Sequence, residues 1–242
     1  MNFHGKAKRL DDVDLPRVAA RIGVGEDEIH AVLDVETAGS GFDRGGRPKM
    51  LFEPHIFWRE LGPGNDRDRA QKAGLAYSRW KPGAYPKDSY PRLEAAMKIN
   101  PDAALRSCSW GLGQIMGFNC KNAGYATAAD MVMDFLDDEE THLNAMVTFI
   151  QTAKLDRFLR SRDWAGFARG YNGAGFAKNG YDKKLAAAYA KWQKIKDTPL
   201  TAKPVSPEPF KPKPKAAAPG EFGLFAAILA AIAALAAYMG LK

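Results

Sequence analysis

The chain has 242 residues, 46% of them hydrophobic and 26% charged, a composition that excludes wholesale disorder and fibrous repeats and is long enough for a full hydrophobic core. Its formal charge of +7 suits an anionic partner such as cell wall, membrane surface or nucleic acid, but no clustered basic stripe with interleaved aromatics marks it as a nucleic-acid binder. Two cysteines and four histidines at none of the zinc-ligand spacings make a metal mechanism a poor expectation, and no cofactor is expected.

In chain order, Met1 to Leu10 carries basic residues but no following apolar run, so it does not read as a secretory signal. Pro16 fits the first turn of a helix that Gly23 ends, and a second helix runs from near Glu26 to Gly39. Segment 39–53, with its Gly45-Gly46 turn between short apolar runs, predicts a β-hairpin. Helix resumes at about Pro54. Residues 62–87 read as a loop with one short helix around 66–72. Helices are expected over 89–100, 127–134, 137–154, 164–171 and 182–197, the third of these showing Leu143, Met146, Val147 and Ile150 at i, i+3, i+4 and i+7. The fold class is therefore mainly α (α+β): a helical domain over residues 1–197 with one small β-hairpin.

Beyond that domain, residues 198–221 hold seven prolines and read as a semi-rigid Pro/Lys-rich linker. Residues 222–241 follow with no charge, and as a helix would span ~30 Å at ~1.5 Å per residue, the thickness of a bilayer core. This apolar C-terminal helix is expected to insert in a membrane, although eight alanines weaken insertion and leave an interfacial or self-associating tail open. Lys203, Lys211, Lys213 and Lys215 precede it and only Lys242 follows, so the positive-inside bias places the domain on the cytoplasmic face.

The chemistry centres on Glu36. Ile29, Val32, Leu33 and Glu36 share one helical face, which puts a carboxyl on the apolar side, where burial raises its pKa and suits it to general-acid work. Periodicity alone equally allows a glutamate that swings out to water. Three stretches then carry a resemblance. VETAGSGF at 35–42, SWGLGQIM at 109–116 and GYNGAG at 170–175 resemble, in order and spacing, the signature motifs of goose-type lysozymes and lytic transglycosylases. With GRPKMLFEPHIF at 46–57, the sequence is identified as a member of the N-acetylmuramidase family of phage endolysins over roughly residues 10–195.

The resemblance implies a lysozyme-like fold and a peptidoglycan muramidase that hydrolyses the β-1,4 bond between N-acetylmuramic acid and N-acetylglucosamine. It makes Glu36 the catalytic acid, has Tyr171 hydrogen-bond or position it, and sets Gln114 and Asn172 along the glycan cleft. Read as residues alone, Tyr171 could equally be a core aromatic, Asn172-Gly173 a turn and Gln114 a helix cap. Glycoside hydrolysis usually needs a second carboxylate. Glu53, at the exit of the expected hairpin, is favoured for that role over Asp43, which otherwise serves as a substrate contact. If neither acts, the sugar's own groups could complete a lytic transglycosylation to a 1,6-anhydro product. A non-catalytic wall-binding, membrane-perturbing protein is the rival from another class. Trp110, Phe118, Trp164 and Phe176 could stack on sugars, with core packing the default reading. Cys108 and Cys120 are expected as buried thiols, not a disulfide. Peptidoglycan is the expected substrate, and a holin-like pore-former the expected partner that opens the membrane to it.

Overall fold

The computed structural model describes residues 2–36, 40–81 and 85–199. The linker beyond residue 199 and the apolar segment 222–241 lie outside the described residues, as does the expected end of the second helix at Gly39. Among the described residues, no helix is long and apolar enough to cross a membrane.

The first helix, α1 (Asp14–Ile22), ends where Gly23 turns left-handed with φ 69°, a conformation that a residue without Cβ adopts at no steric cost. Next, α2 (Glu26–Glu36) opens with three acids at the positive end of its dipole and buries Ile29, Val32 and Leu33. Along it lies α11 (Tyr181–Trp192), docked by a parallel His30–Trp192 stack with ring centroids 3.6 Å apart. The Trp192 indole N–H donates to Asp34 at 2.9 Å, so the C-terminal half of α2 is held in both position and rotation.

Between these two helices run α3 (Pro54–Leu61), α4 (Asn65–Lys72), α5 (Tyr90–Met97), α6 (Pro101–Arg106), α7 (Ala128–Phe135), α8 (Glu139–Thr152), α9 (Asp156–Arg160) and α10 (Trp164–Asn172). Of these, α6 and α9 are not foreseen from periodicity, because five or six residues complete too few turns to show it. The only forewarning for α6 is Asn100-Pro101, a capping side chain that accepts from the Ala103 amide at 3.0 Å followed by a proline in the first turn.

The expected local hairpin is corrected by the structure. Segment 42–48 does turn back on itself, but it makes only a single bridge between Phe42 and Pro48. The strand that follows, β1 (Met50–Phe52), pairs antiparallel with β2 (Cys108–Trp110), which pairs in turn with β3 (Ile115–Met116). Register sets Phe52 against Cys108 and Met50 against Trp110. The true hairpin is thus β2–β3, wound around residues 111–114, and the glycine-rich turn at 43–47 projects beside it.

Two cores support this arrangement. One gathers Phe52, Phe57, Leu93, Trp110 and Phe135 beneath the sheet. The other gathers Val18, Ile29, Val32, Leu143, Met146 and Phe167 between α1, α2, α8 and α10. Because α8 contributes Ala145 to the first and Leu143, Met146, Val147 and Ile150 to the second, it is the spine shared by both. The amino-terminal segment is tied to the start of α8, with Lys8 N–H donating to Asp137 O and Glu139 N–H to Lys8 O, each at 2.9 Å. Cys108 and Cys120 are free and buried, and Trp110 is wholly buried with its indole N–H on Leu105 O.

Candidate functional site

Glu36 occupies the last turn of α2, and burial pushes its carboxyl above the ordinary carboxylate range. Opposing that push, the Asn172 side-chain amide donates to Glu36 Oε1 at 2.8 Å and favours the ionised form. The hydrogen bond expected from Tyr171 is not the one that forms. Its hydroxyl donates to Gly113 O at 2.7 Å, while its ring stacks on Phe167 and meets Phe149 edge-on. At the end of α10 the two neighbours divide the work: Tyr171 fastens the 111–114 turn, and Asn172 reaches the acid.

That turn is strained and well held. Gly111 has φ 65° and Gln114 φ 47°, the latter a left-handed conformation that a side chain rarely adopts. Gln114 offsets the strain with its own amide, which donates to Gly111 O at 2.8 Å and accepts from the Ser109 hydroxyl at 2.9 Å. Beneath it, His142 is fully buried, accepting from Leu112 N–H at 3.2 Å through Nδ1 and donating through Nε2 to Phe135 O at 2.7 Å. Since the amide can only donate and the carbonyl only accept, these partners define the tautomer. Gly41 packs so closely that a Cβ there would lie 2.4 Å from His142 Nδ1.

A cleft of about 570 Å³ opens at the end of α2, within the ordinary range of about 300–1,000 Å³ for ligand sites. Asp34 and Glu36 of α2 line it together with Asp43 and Arg47 of the glycine-rich turn, Met50 of β1, segment 87–90 and Gln114. Asp43 is tightly engaged. Its Oδ1 accepts from the amides of Gly45 and Arg47 at 2.8 and 2.9 Å, and its Oδ2 from the Arg47 guanidinium at 2.8 Å. Burial alone would raise its pKa, but these donors outweigh it and hold Asp43 below the usual carboxylate range.

Of the residues singled out from sequence, Glu36, Asp43 and Gln114 share the cleft, and Asn172 is bonded to Glu36 from behind. Glu53 does not line it. β1 does return toward α2, but its residues 50 and 51 line the cleft and Phe52 pairs with Cys108, so Glu53 falls beyond, at the start of α3, against the Tyr85 hydroxyl. The preference for Glu53 over Asp43 rested on a hairpin that would have carried residue 53 back to the helix end, and that hairpin is not the one formed. Asp34 and Arg47 were missed, and nothing in their local pattern separates them from other surface charges.

A helical body with a small antiparallel sheet, and a carboxylic acid at a helix end on a cleft of this size, define a lysozyme-like glycosidase. The profile of the family described as Muramidase: N-acetylmuramidase matches residues 26–193. Among solved structures, the crystal structure of Burkholderia AP3 phage endolysin superposes with a TM-score of 0.69 at 39% sequence identity, over 78% of this chain and 73% of that one. A search of curated proteins gives no match. The chain belongs to the N-acetylmuramidase family, and it is a glycoside hydrolase that acts on peptidoglycan.

Proposed function

We propose that this chain is an endolysin whose cleft holds a peptidoglycan strand with a β-1,4 bond between N-acetylmuramic acid and N-acetylglucosamine set against Glu36. The observation that carries the reading is a carboxyl on the cleft wall whose pKa burial raises, with one amide to orient it. Glu36 gives its proton to the departing glycosidic oxygen. Asp43, held ionised by Arg47 and two amides, stabilises the positive charge that grows on the sugar ring, and its engaged lone pairs suit that role better than nucleophilic attack. Water then adds to the anomeric carbon and leaves a reducing end. Family membership favours this hydrolysis over lytic transglycosylation and over a non-catalytic wall binder.

Glu36→Gln keeps the shape and removes the proton, so clearing of wall suspensions should fall by about 10²–10⁴-fold with an unchanged melting temperature. Full activity in that variant ends the assignment. Mass analysis of the released fragments tests the reaction type, since hydrolysis leaves reducing muramic ends and transglycosylation products lighter by one water.

As a second element of the proposal, segment 222–241 tethers the enzyme to the inner membrane on its cytoplasmic face, until a holin-like partner or the tail itself breaches the bilayer. Its support is the uncharged twenty-residue run and the lysine asymmetry around it.

A further inference from the structure

Outside the Glu36 cleft, a carboxylate, an imidazole and three aromatic side chains gather where the chain leaves β1. The Tyr85 hydroxyl donates to Glu53 Oε2 at 2.5 Å, and His55 Nδ1 stands 3.3 Å from the same oxygen without the alignment of a hydrogen bond. Tyr77 lies within the field of Glu53, and its buried hydroxyl has no partner among the described residues. Burial, together with the bond to Glu53, pushes the Tyr85 phenol well above its ordinary range, so it remains a donor at any working pH. Bordering that hydroxyl is Trp80, which at 57% exposure is the most exposed large hydrophobic side chain among the described residues.

Along the chain, this group stands close to the cleft at two points. Glu53 is two residues beyond Leu51, and Tyr85 two residues before Lys87, both of which line the cleft, so each lies within about 7 Å of it by chain reach. An exposed indole offers a face for the C–H side of a pyranose. The Glu53 carboxylate, bonded by the Tyr85 hydroxyl and still partly exposed, offers acceptors to its hydroxyl and acetamido edge. The negative charge of Glu53 disfavours the sugar that bears an acidic peptide stem and favours its uncharged neighbour.

We propose that Trp80 and Glu53, with Tyr85 holding the carboxylate, form an outlying subsite for an uncharged N-acetylhexosamine ring of the glycan strand, beyond the bond being cut. This rests on the muramidase reading. Its test compares the full-length enzyme with Trp80→Ala, Trp80→Phe and Glu53→Gln on purified glycan strands, long ones against short oligosaccharides that fill only the Glu36 cleft. On long strands Trp80→Ala should raise KM by about three- to tenfold with kcat unchanged, Trp80→Phe should recover part of the loss, and Glu53→Gln should act in the same direction. Kinetics on short oligosaccharides should not move. Equal losses on long and short substrates, or no loss on either, overturn the subsite while the muramidase reading stands. A wild-type enzyme that cleaves neither substrate overturns that reading, and the subsite with it.

Discussion

Glu36 is under two opposed influences: burial favours its protonated form, and the Asn172 amide at 2.8 Å favours its carboxylate. Asn172→Leu removes only the second, so the acid should stay protonated to higher pH. The alkaline limb of the kcat/KM profile should then move up. A limb that does not move would mean that another group sets it. Asp43 separates charge from structure in a similar way. In Asp43→Asn the side-chain oxygen can still accept from the Gly45 and Arg47 amides, so the turn should persist at a cost of about 1–2 kcal/mol in denaturant unfolding. The charge is lost, and kcat should fall at least about tenfold. A rate unchanged by Asp43→Asn would remove it from the reaction. The placement of Glu36 was legible in the sequence, because it sits at i+7 on an apolar helical face. The partner of Glu36 was not: Tyr171 and Asn172 are adjacent at a helix end, and only coordinates tell which of the two turns toward the acid.

At the scale of elements, the 111–114 turn depends on α8 through His142. Burial is the main cause that lowers the His142 pKa, to about 4, against an ordinary value of 6.5. A folded-state value depressed below the unfolded one means that the unfolded chain takes up the proton first as pH falls. The stability it confers is therefore complete above about 6.5 and is lost progressively toward pH 4, on the order of 3 kcal/mol in all. Denaturant midpoints measured at pH 7, 6, 5 and 4 should fall in that window. His142→Leu should flatten the trend while lowering stability at pH 7 by about 1–3 kcal/mol, through the orphaned Leu112 amide. Retention of the same slope in the variant would assign it to other groups. Gly111→Ala attacks the same joint from above, since its Cβ would lie 2.8 Å from His142 Nδ1 at a positive φ. The longer helices were legible because amphipathic periodicity and capping residues are local signals, as with Thr127 and Asp130, which form a reciprocal capping box. The sheet was not. Strands of two or three residues carry no period, and β1 finds its partner more than fifty residues downstream, a pairing that no local pattern encodes.

For the whole molecule, charge is distributed in a way that bears on where the enzyme works. Residues 1–197 carry a net +4, enough to favour an anionic wall or membrane surface without a concentrated patch. The stretch from residue 198 onward adds five lysines against two glutamates, and four of those lysines precede the uncharged run. If that run spans the bilayer, this asymmetry retains the linker and the catalytic body on the cytoplasmic side, where the wall is out of reach. Activity would then be governed by membrane integrity and not by synthesis. Cells expressing the full chain should hold it in the membrane fraction, resistant to salt and alkali, and lyse only when a permeabilising agent is added. A chain ending at Pro219 should be soluble and, once the membrane is opened, should clear the wall at the same rate, because the Glu36 cleft is untouched. Release of the full chain by salt or alkali would instead mean a tail lying in the interface, the outcome its eight alanines favour. Should both chains remain in the soluble fraction and lyse cells equally without the agent, the tether is wrong and the muramidase acts without it.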